Sequence, residues 1–365
     1  MDGTKPSILL VDDDQESLDN LGDRLRELLG DDAELVIWRP TTADGPTHEA
    51  FDERISQQTA LVITDYDLTT SVNGLFGLSI VGWCQGKSIP VGDFSRANLD
   101  ALPREPNLFE LRVPTSFEQA APFINNMFRG FHDIRLWLDG HPEVLSQPRS
   151  LAAVLATLLG KPQSESMFAA YMTKLGAANS ALLQTIKQFA EPDQLPTDED
   201  KARLLTYVLG HVLANAVLKY PGPIVSLEAL CAYFGTNLDE ATALSELFDR
   251  ARYDGPFGHA EPYYWHEVVD GILDDMAADL DDPQFDSFAE YNRYAVERHL
   301  NRPLARHACT RCGGIKGGFW CPFTMRAVCE RGDCSVPASS WIPSGAQLSR
   351  VEKDFHDEWA PILGY

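Results

Sequence analysis

Residues 61–68 read Leu61-Val62-Ile63-Thr64-Asp65-Tyr66-Asp67-Leu68. A short, continuous apolar run that stops at an acid is the pattern of a buried parallel strand, and in open α/β sheets the chemistry collects just beyond the carboxyl ends of such strands. Asp65 is therefore expected at the mouth of a sheet. Upstream, Ile8-Leu9-Leu10-Val11 runs into Asp12, Asp13 and Asp14 in the same way. Two strand-end acid clusters in one parallel sheet can converge on a hard divalent cation such as Mg²⁺, which takes carboxylate oxygens and water.

Between and beyond these runs, residues 7–131 alternate strand-like and helix-like stretches. The helix after the first strand carries Leu18, Leu21, Leu25 and Leu28 as an apolar stripe. Glu34–Trp38 reads as a strand and residues 47–57 as a helix; after the Asp65 strand come a helix at 75–85 and a strand at Ser88–Val91. The last strand, Leu108–Val113, precedes a helix from Phe117 to Phe131. Alternation of this kind predicts an α/β domain: a doubly wound, five-stranded parallel sheet covered by helices on both faces, with strands one and three side by side.

The acidic pair Asp12-Asp13 after the first strand and Asp65 after the third resemble the receiver domain of two-component response regulators. Asp67 falls two residues on, where that family uses a backbone carbonyl as a metal ligand. Asn73-Gly74 occupy the following loop. Ser95, after Ile89-Pro90-Val91, stands where the family keeps a hydroxyl for the phosphoryl group. The resemblance implies a flavodoxin-like fold and a phospho-acceptor at Asp65, with Ser95 assisting. It also implies Mg²⁺ held by Asp12, Asp13, Asp65 and Asp67, and a sensor histidine kinase or other signalling protein as partner. One departure is plain: the family's Lys-Pro at the end of the fifth strand reads Val113-Pro114, with Arg112 on the opposite face. Asp65-Tyr66-Asp67-Leu68-Thr69 also resembles the Asp-x-Asp-x-Thr motif of haloacid-dehalogenase-type phosphatases, which implies Asp65 as nucleophile and Asp67 as general acid/base. That motif normally follows the first core strand, whereas two strands precede it here.

Residues 132–149 read as a linker and 150–300 as a helical domain. Ser226–Thr236 resembles a helix-turn-helix entry, but too few Lys or Arg accompany it to neutralise phosphates; a helical hairpin is the plainer reading. The aromatic stretch 253–266 could line a cleft; packing between helices accounts for it more simply, and no nucleophile supports a catalytic reading of His266 and Glu267.

Five of the seven cysteines fall within residues 309–334. Cys309-x2-Cys312 and Cys329-x4-Cys334 have the spacing of two ligand pairs on one Zn²⁺, and four thiolates leave no open position, so the site would be structural. Cys321, between Trp320 and Pro322, is either buried or the replacement for one of the four, and His307 is a weaker candidate. The segment 301–350 is thus expected to be a zinc ribbon, followed by a helix at 351–365. It is also basic, through Arg302, Arg306, Arg311, Lys316, Arg326, Arg331 and Arg350. Those cations are expected to meet nucleic acid or, more simply, the chain's own acids.

The chain of 365 residues, 44% hydrophobic, has the length for two or three domains with sizeable cores. A formal net charge of −24 argues against a general nucleic-acid surface or an anionic membrane partner. No apolar run approaches the roughly 20 residues that span a bilayer, and the acidic start is unlike a signal peptide, so the reading is a cytoplasmic protein. Receivers fused to such regions resemble components of bacterial conflict or stress systems. The whole then reads as a phospho-acceptor signalling protein more readily than as an enzyme, with the phosphatase reading as the alternative: a receiver-like domain at 1–131, a helical region and a zinc ribbon.

Overall fold

The computed structural model describes residues 5–94, 108–147, 149–172, 197–278, 285–309, 311–314 and 317–363. Five parallel strands, β1 (Ser7–Val11), β2 (Glu34–Trp38), β3 (Thr59–Asp65), β4 (Val91–Phe94) and β5 (Leu111–Arg112), lie in the order β2-β1-β3-β4-β5. This is the flavodoxin-like order, whose switch point lies between β1 and β3. There Ile8 pairs with Leu61 and Val11 with Thr64, so the chain leaves both strands at the same sheet edge, just where the acids begin.

Successive strand side chains point to opposite faces. Leu9, Val11 and Val62 pack with Phe51 of α2 (Thr47–Arg54) and with Ile80, Val81 and Cys84 of α3 (Gly77–Gly86). α1 (Gln15–Leu29) lies with α4 (Phe117–Gly140), on the side of the sheet that Leu10 and Ile63 face. Asp14 caps α1, accepting from the Glu16 N–H (3.1 Å) and the Ser17 hydroxyl (2.7 Å), which sets it apart from its two acidic neighbours.

Three details differ from the sequence reading. The α1 stripe ends on Leu29, which is buried, whereas Leu28 is 41% exposed; eleven residues from Leu18 bring a 3.6-residue helix back into phase, and ten do not. β4 begins at Val91 because Pro90 has no N–H to give the ladder; its carbonyl accepts from Val62 instead. The helix starting at Phe117 continues to Gly140, through much of the stretch read as linker. Pro122 falls in its second turn, past the free N-terminal N–H groups, and so removes one i→i−4 hydrogen bond from the helix.

The chain divides into two compact units, Met1–Ser150 with Leu175–His211, and Leu151–Lys174 with Val212–Tyr365. In the first, α5 (Glu143–Ser146) follows α4, and α8 (Asp198–Val212) is tied to α4 by Arg135, which holds both oxygens of Glu199 (2.9 and 2.6 Å). Gly210 sits flat against Phe131, where a Cβ would lie 2.2 Å from the ring. His211 is fully buried among Phe109, Phe131 and Tyr207.

The second unit is mostly helical. Its described helices include α6 (Leu151–Leu158), α7 (Glu165–Met172), α9 (Leu227–Tyr233), α10 (Ala241–Leu247), α11 (His266–Ala277) and α12 (Phe288–Leu300). A two-stranded antiparallel pair, β6 (Ile224–Ser226) with β7 (Tyr263–Trp265), leads into α9 at one end and into α11 at the other. The aromatic stretch is spent on packing: Tyr253 and Phe257 are buried, and the Tyr253 hydroxyl donates to the Pro256 carbonyl (2.9 Å). The cysteine-rich segment forms the hairpin β8 (Gly318–Cys321) and β9 (Arg326–Cys329), followed by β10 (Ser335–Val336), β11 (Val351–Glu352) and α13 (Lys353–Leu363). Trp320 and Leu348 join Leu230, Phe234 and Val296 in one core, so the hairpin is not a freestanding module. No described helix is long and apolar enough to cross a membrane.

Candidate functional site

The carboxylates of Asp12, Asp13 and Asp65 come within 4.8 Å of one another at the carboxyl edge of the sheet. Each is fixed by a different device. Asp12 is buried and accepts from the Asp14 N–H (2.8 Å). Asp13 accepts from the Ser71 N–H (3.1 Å), while its carbonyl accepts from Arg39 Nε (3.0 Å). Asp65 accepts from the Asp67 N–H (3.3 Å). Burial, and next the Asp12 charge, push the Asp65 carboxyl up to about 7, against the pull of the Tyr66 and Asp67 N–H groups. Like charges in a half-dry pocket resist ionising together. A small cleft lined by Leu10, Leu18, Leu21, Ile63 and Phe94 lies beneath Asp12 and Asp65.

Asp67 is not part of this group. It is exposed, and its carboxylate accepts both the Thr69 N–H (3.0 Å) and the Thr69 hydroxyl (2.5 Å), which holds its own pKa down. Ser95 lies outside the described residues. Val113 is buried and Arg112 exposed, as alternation along an edge strand requires. The sequence reading missed Gly77, whose N–H donates to the Tyr66 carbonyl (2.9 Å). A Cβ there would stand 2.1 Å from the Asp65 carbonyl oxygen, so only glycine lets α3 start against the acid-bearing strand. A glycine two residues before an apolar helical run carried no signal of that closeness. Arg39 and Ser71 were equally silent.

The second group is Cys309, Cys312, Cys329 and Cys334, whose sulfurs also lie within 4.8 Å of one another. Cys312 Sγ and Cys329 Sγ are 3.7 Å apart. A tetrahedron of about 2.3 Å Zn–S bonds has sulfur–sulfur edges of about 3.8 Å. The Gly314 N–H donates to Cys312 Sγ (3.4 Å) and draws that thiol down to about 7, whereas burial pushes Cys329 and Cys334 up. Four thiols so arranged could bind a structural zinc. Cys321 is outside the group; it is fully buried and its sulfur accepts the Glu352 N–H (3.3 Å). His307 also stands apart.

Several described arginines of residues 301–350 pair with acids of the same chain. Arg302 grips both oxygens of Glu240 (3.2 and 2.7 Å), Arg311 pairs with Asp354, and Arg331 with Asp333 (3.4 Å). Arg350 lies over Phe319 and donates to Ser335. Lys316 lies outside the described residues.

Comparison of the chain with protein-family models and with curated proteins gives no match. What the structure itself defines is an N-terminal flavodoxin-like α/β unit with an acid cluster at its switch point, and a mostly helical unit carrying a four-cysteine cluster.

Proposed function

We propose that the chain is a response-regulator-like signalling protein whose first unit accepts a phosphoryl group at Asp65. The observation that carries this reading is the convergence of Asp12, Asp13 and Asp65 at the β1/β3 switch point. Mg²⁺ held by these three residues would offset the charge of the phosphoryl oxygens. Asp65 then attacks phosphorus, forming an acyl phosphate as the donor's leaving group departs. Its partner in the cell would be a histidine kinase or another phosphodonor protein.

Val113 favours a second reading. A buried apolar side chain stands where the resemblance calls for a phosphoryl-binding lysine, which suits a receiver that only docks its partner through the same surface. The four cysteines would hold Zn²⁺ as a closed structural site, fastening the hairpin of the second unit.

Incubation with acetyl phosphate and Mg²⁺, followed by phosphate-affinity electrophoresis, separates the two readings. A base-labile shifted band in the wild type, lost in Asp65→Asn, is the expected result. No shift, with no Mg²⁺ heat in calorimetry, would leave only the docking module.

A further inference from the structure

The two cysteine pairs are held by different devices. Cys309 and Cys312 lie on a turn that closes on itself: the Cys309 N–H donates to the Gly314 carbonyl (2.9 Å), and the Gly313 N–H returns to the Cys309 carbonyl (2.8 Å). The longer loop from Cys329 to Cys334 is fastened by a residue far along the chain. The Ser335 hydroxyl donates to the Cys329 carbonyl (2.7 Å) and accepts from Arg350 Nε (2.7 Å). Arg350 Nη2 donates to the carbonyls of Ser335 (3.1 Å) and Glu330 (3.3 Å). One guanidinium thus grips the residue after Cys329 and the residue after Cys334.

We propose that Arg350, acting through Ser335 and two backbone carbonyls, is the positioning residue of the four-cysteine metal site, setting Cys329 and Cys334 in place before an ion arrives. The inference rests on reading that cluster as a metal site. Three features support it. Cys329 and Ser335 are fully buried, so solvent does not replace the guanidinium if it is removed. The three acceptors need a planar donor with Nε and Nη2 on one edge, which arginine has and the point charge of lysine lacks. Arg350 is itself anchored to the hairpin that carries Cys329: its N–H donates to the Trp320 carbonyl (3.0 Å), and its Cζ lies 5.3 Å from the centre of the Phe319 ring. From the other side β11 closes the loop, pairing Glu352 with Ser335, while the Lys353 N–H donates to the Cys334 carbonyl (2.9 Å). A loop already placed in this way loses little freedom when it takes up a metal, and that saving appears as affinity. Groups that orient metal ligands without touching the metal typically contribute about 10–100-fold in affinity.

The test titrates Co²⁺ into the full-length chain, stripped of metal and kept reduced, and follows the visible bands of tetrahedral cobalt thiolate; Zn²⁺ competition then gives the zinc affinity. Arg350→Gln and Ser335→Ala should each weaken binding about 10–100-fold. The double variant should be no weaker than the worse single one, because both changes cut the same chain of hydrogen bonds. Arg350→Lys, which keeps the charge, should bind no better than Arg350→Gln. Arg326→Gln removes a cation from the exposed face of the same hairpin and should bind as wild type does. Far-UV circular dichroism matching wild type shows that each variant is folded. A wild type without the cobalt bands would remove the metal site, and the proposal with it. Wild-type bands with an affinity unchanged in Arg350→Gln and Ser335→Ala, or fully restored by lysine, would overturn the positioning role alone and leave the metal site standing.

Discussion

Replacing Asp65 by Asn should stabilise the first unit, and increasingly so as pH rises above the ordinary carboxylate range. In the fold its carboxyl titrates near 7, far above the ordinary value of 3.8, because burial and Asp12 both disfavour the anion. A folded-state pKa raised above the unfolded one contributes stability that is full below the unfolded value and is lost as pH rises through the folded one. Taken whole, the shift amounts to about 4 kcal/mol, and solvent screening at this half-buried residue reduces it to about 1–2 kcal/mol. At pH 8, in chelator, amides of β1 and β3 in the Asp65→Asn variant should therefore exchange with deuterium about 5–30-fold more slowly than in wild type. At pH 5.5 about half of that gap should remain, because the unfolded chain already ionises Asp65 there, and near pH 3.5 the two proteins should be nearly alike. Under the proposed function, adding Mg²⁺ at pH 8 should slow exchange in wild type and narrow the gap. A variant no more stable than wild type at pH 8, or equally stabilised at pH 8 and pH 3.5, would refute the reasoning that three converging carboxylates strain this fold.

His211 gives the opposite pH dependence in the same unit. Burial lowers its pKa to about 4, so its contribution is complete above about 6.5 and falls as the medium acidifies. About 2 kcal/mol should be lost between pH 7 and pH 5, read from urea unfolding or exchange of the 198–212 helix, and the His211→Leu variant should lose that part of the slope. Gly77→Ala should cost about 1–3 kcal/mol, because its methyl group must displace the Asp65 carbonyl, and labelling by acetyl phosphate should drop with it. Zinc counted by release with a thiol reagent should be one equivalent in wild type and in Cys321→Ser, and absent in Cys329→Ser.

Which parts of this were legible in the sequence follows from where the chemistry is stored. The acid cluster is written in short local strings, an apolar run followed by aspartates, and a parallel sheet converts those strings into proximity because β1 and β3 are neighbours. The cysteine cluster is legible for a related reason: its ligands arrive in two close pairs, and the Gly313-Gly314 turn advertises the N–H that reaches sulfur. Even so, the string Asp12-Asp13-Asp14 does not say that the third acid is a helix cap. Nor does Asp65-Tyr66-Asp67 say that the second acid turns away to Thr69. Those assignments depend on backbone dihedrals at single residues, which composition does not encode.

The hydrogen bond from the Tyr233 hydroxyl to Asp270 was illegible for a stronger reason. Its partners stand 37 residues apart, on α9 and α11, and no local string pairs them. Gly77 is illegible in another way, since its signal is an atom that is missing. Both cases show that a site assembled by tertiary register leaves no motif. The trace it does leave is energetic. At Asp65 the fold tolerates a carboxyl pushed to about 7. That defect could be removed by a single conservative change, Asp65→Asn, so packing alone gives no reason for this residue to be there. Ligand binding gives one, because a cation would turn the local penalty into affinity. On that argument the β1/β3 switch point is the place to look for what the first unit binds.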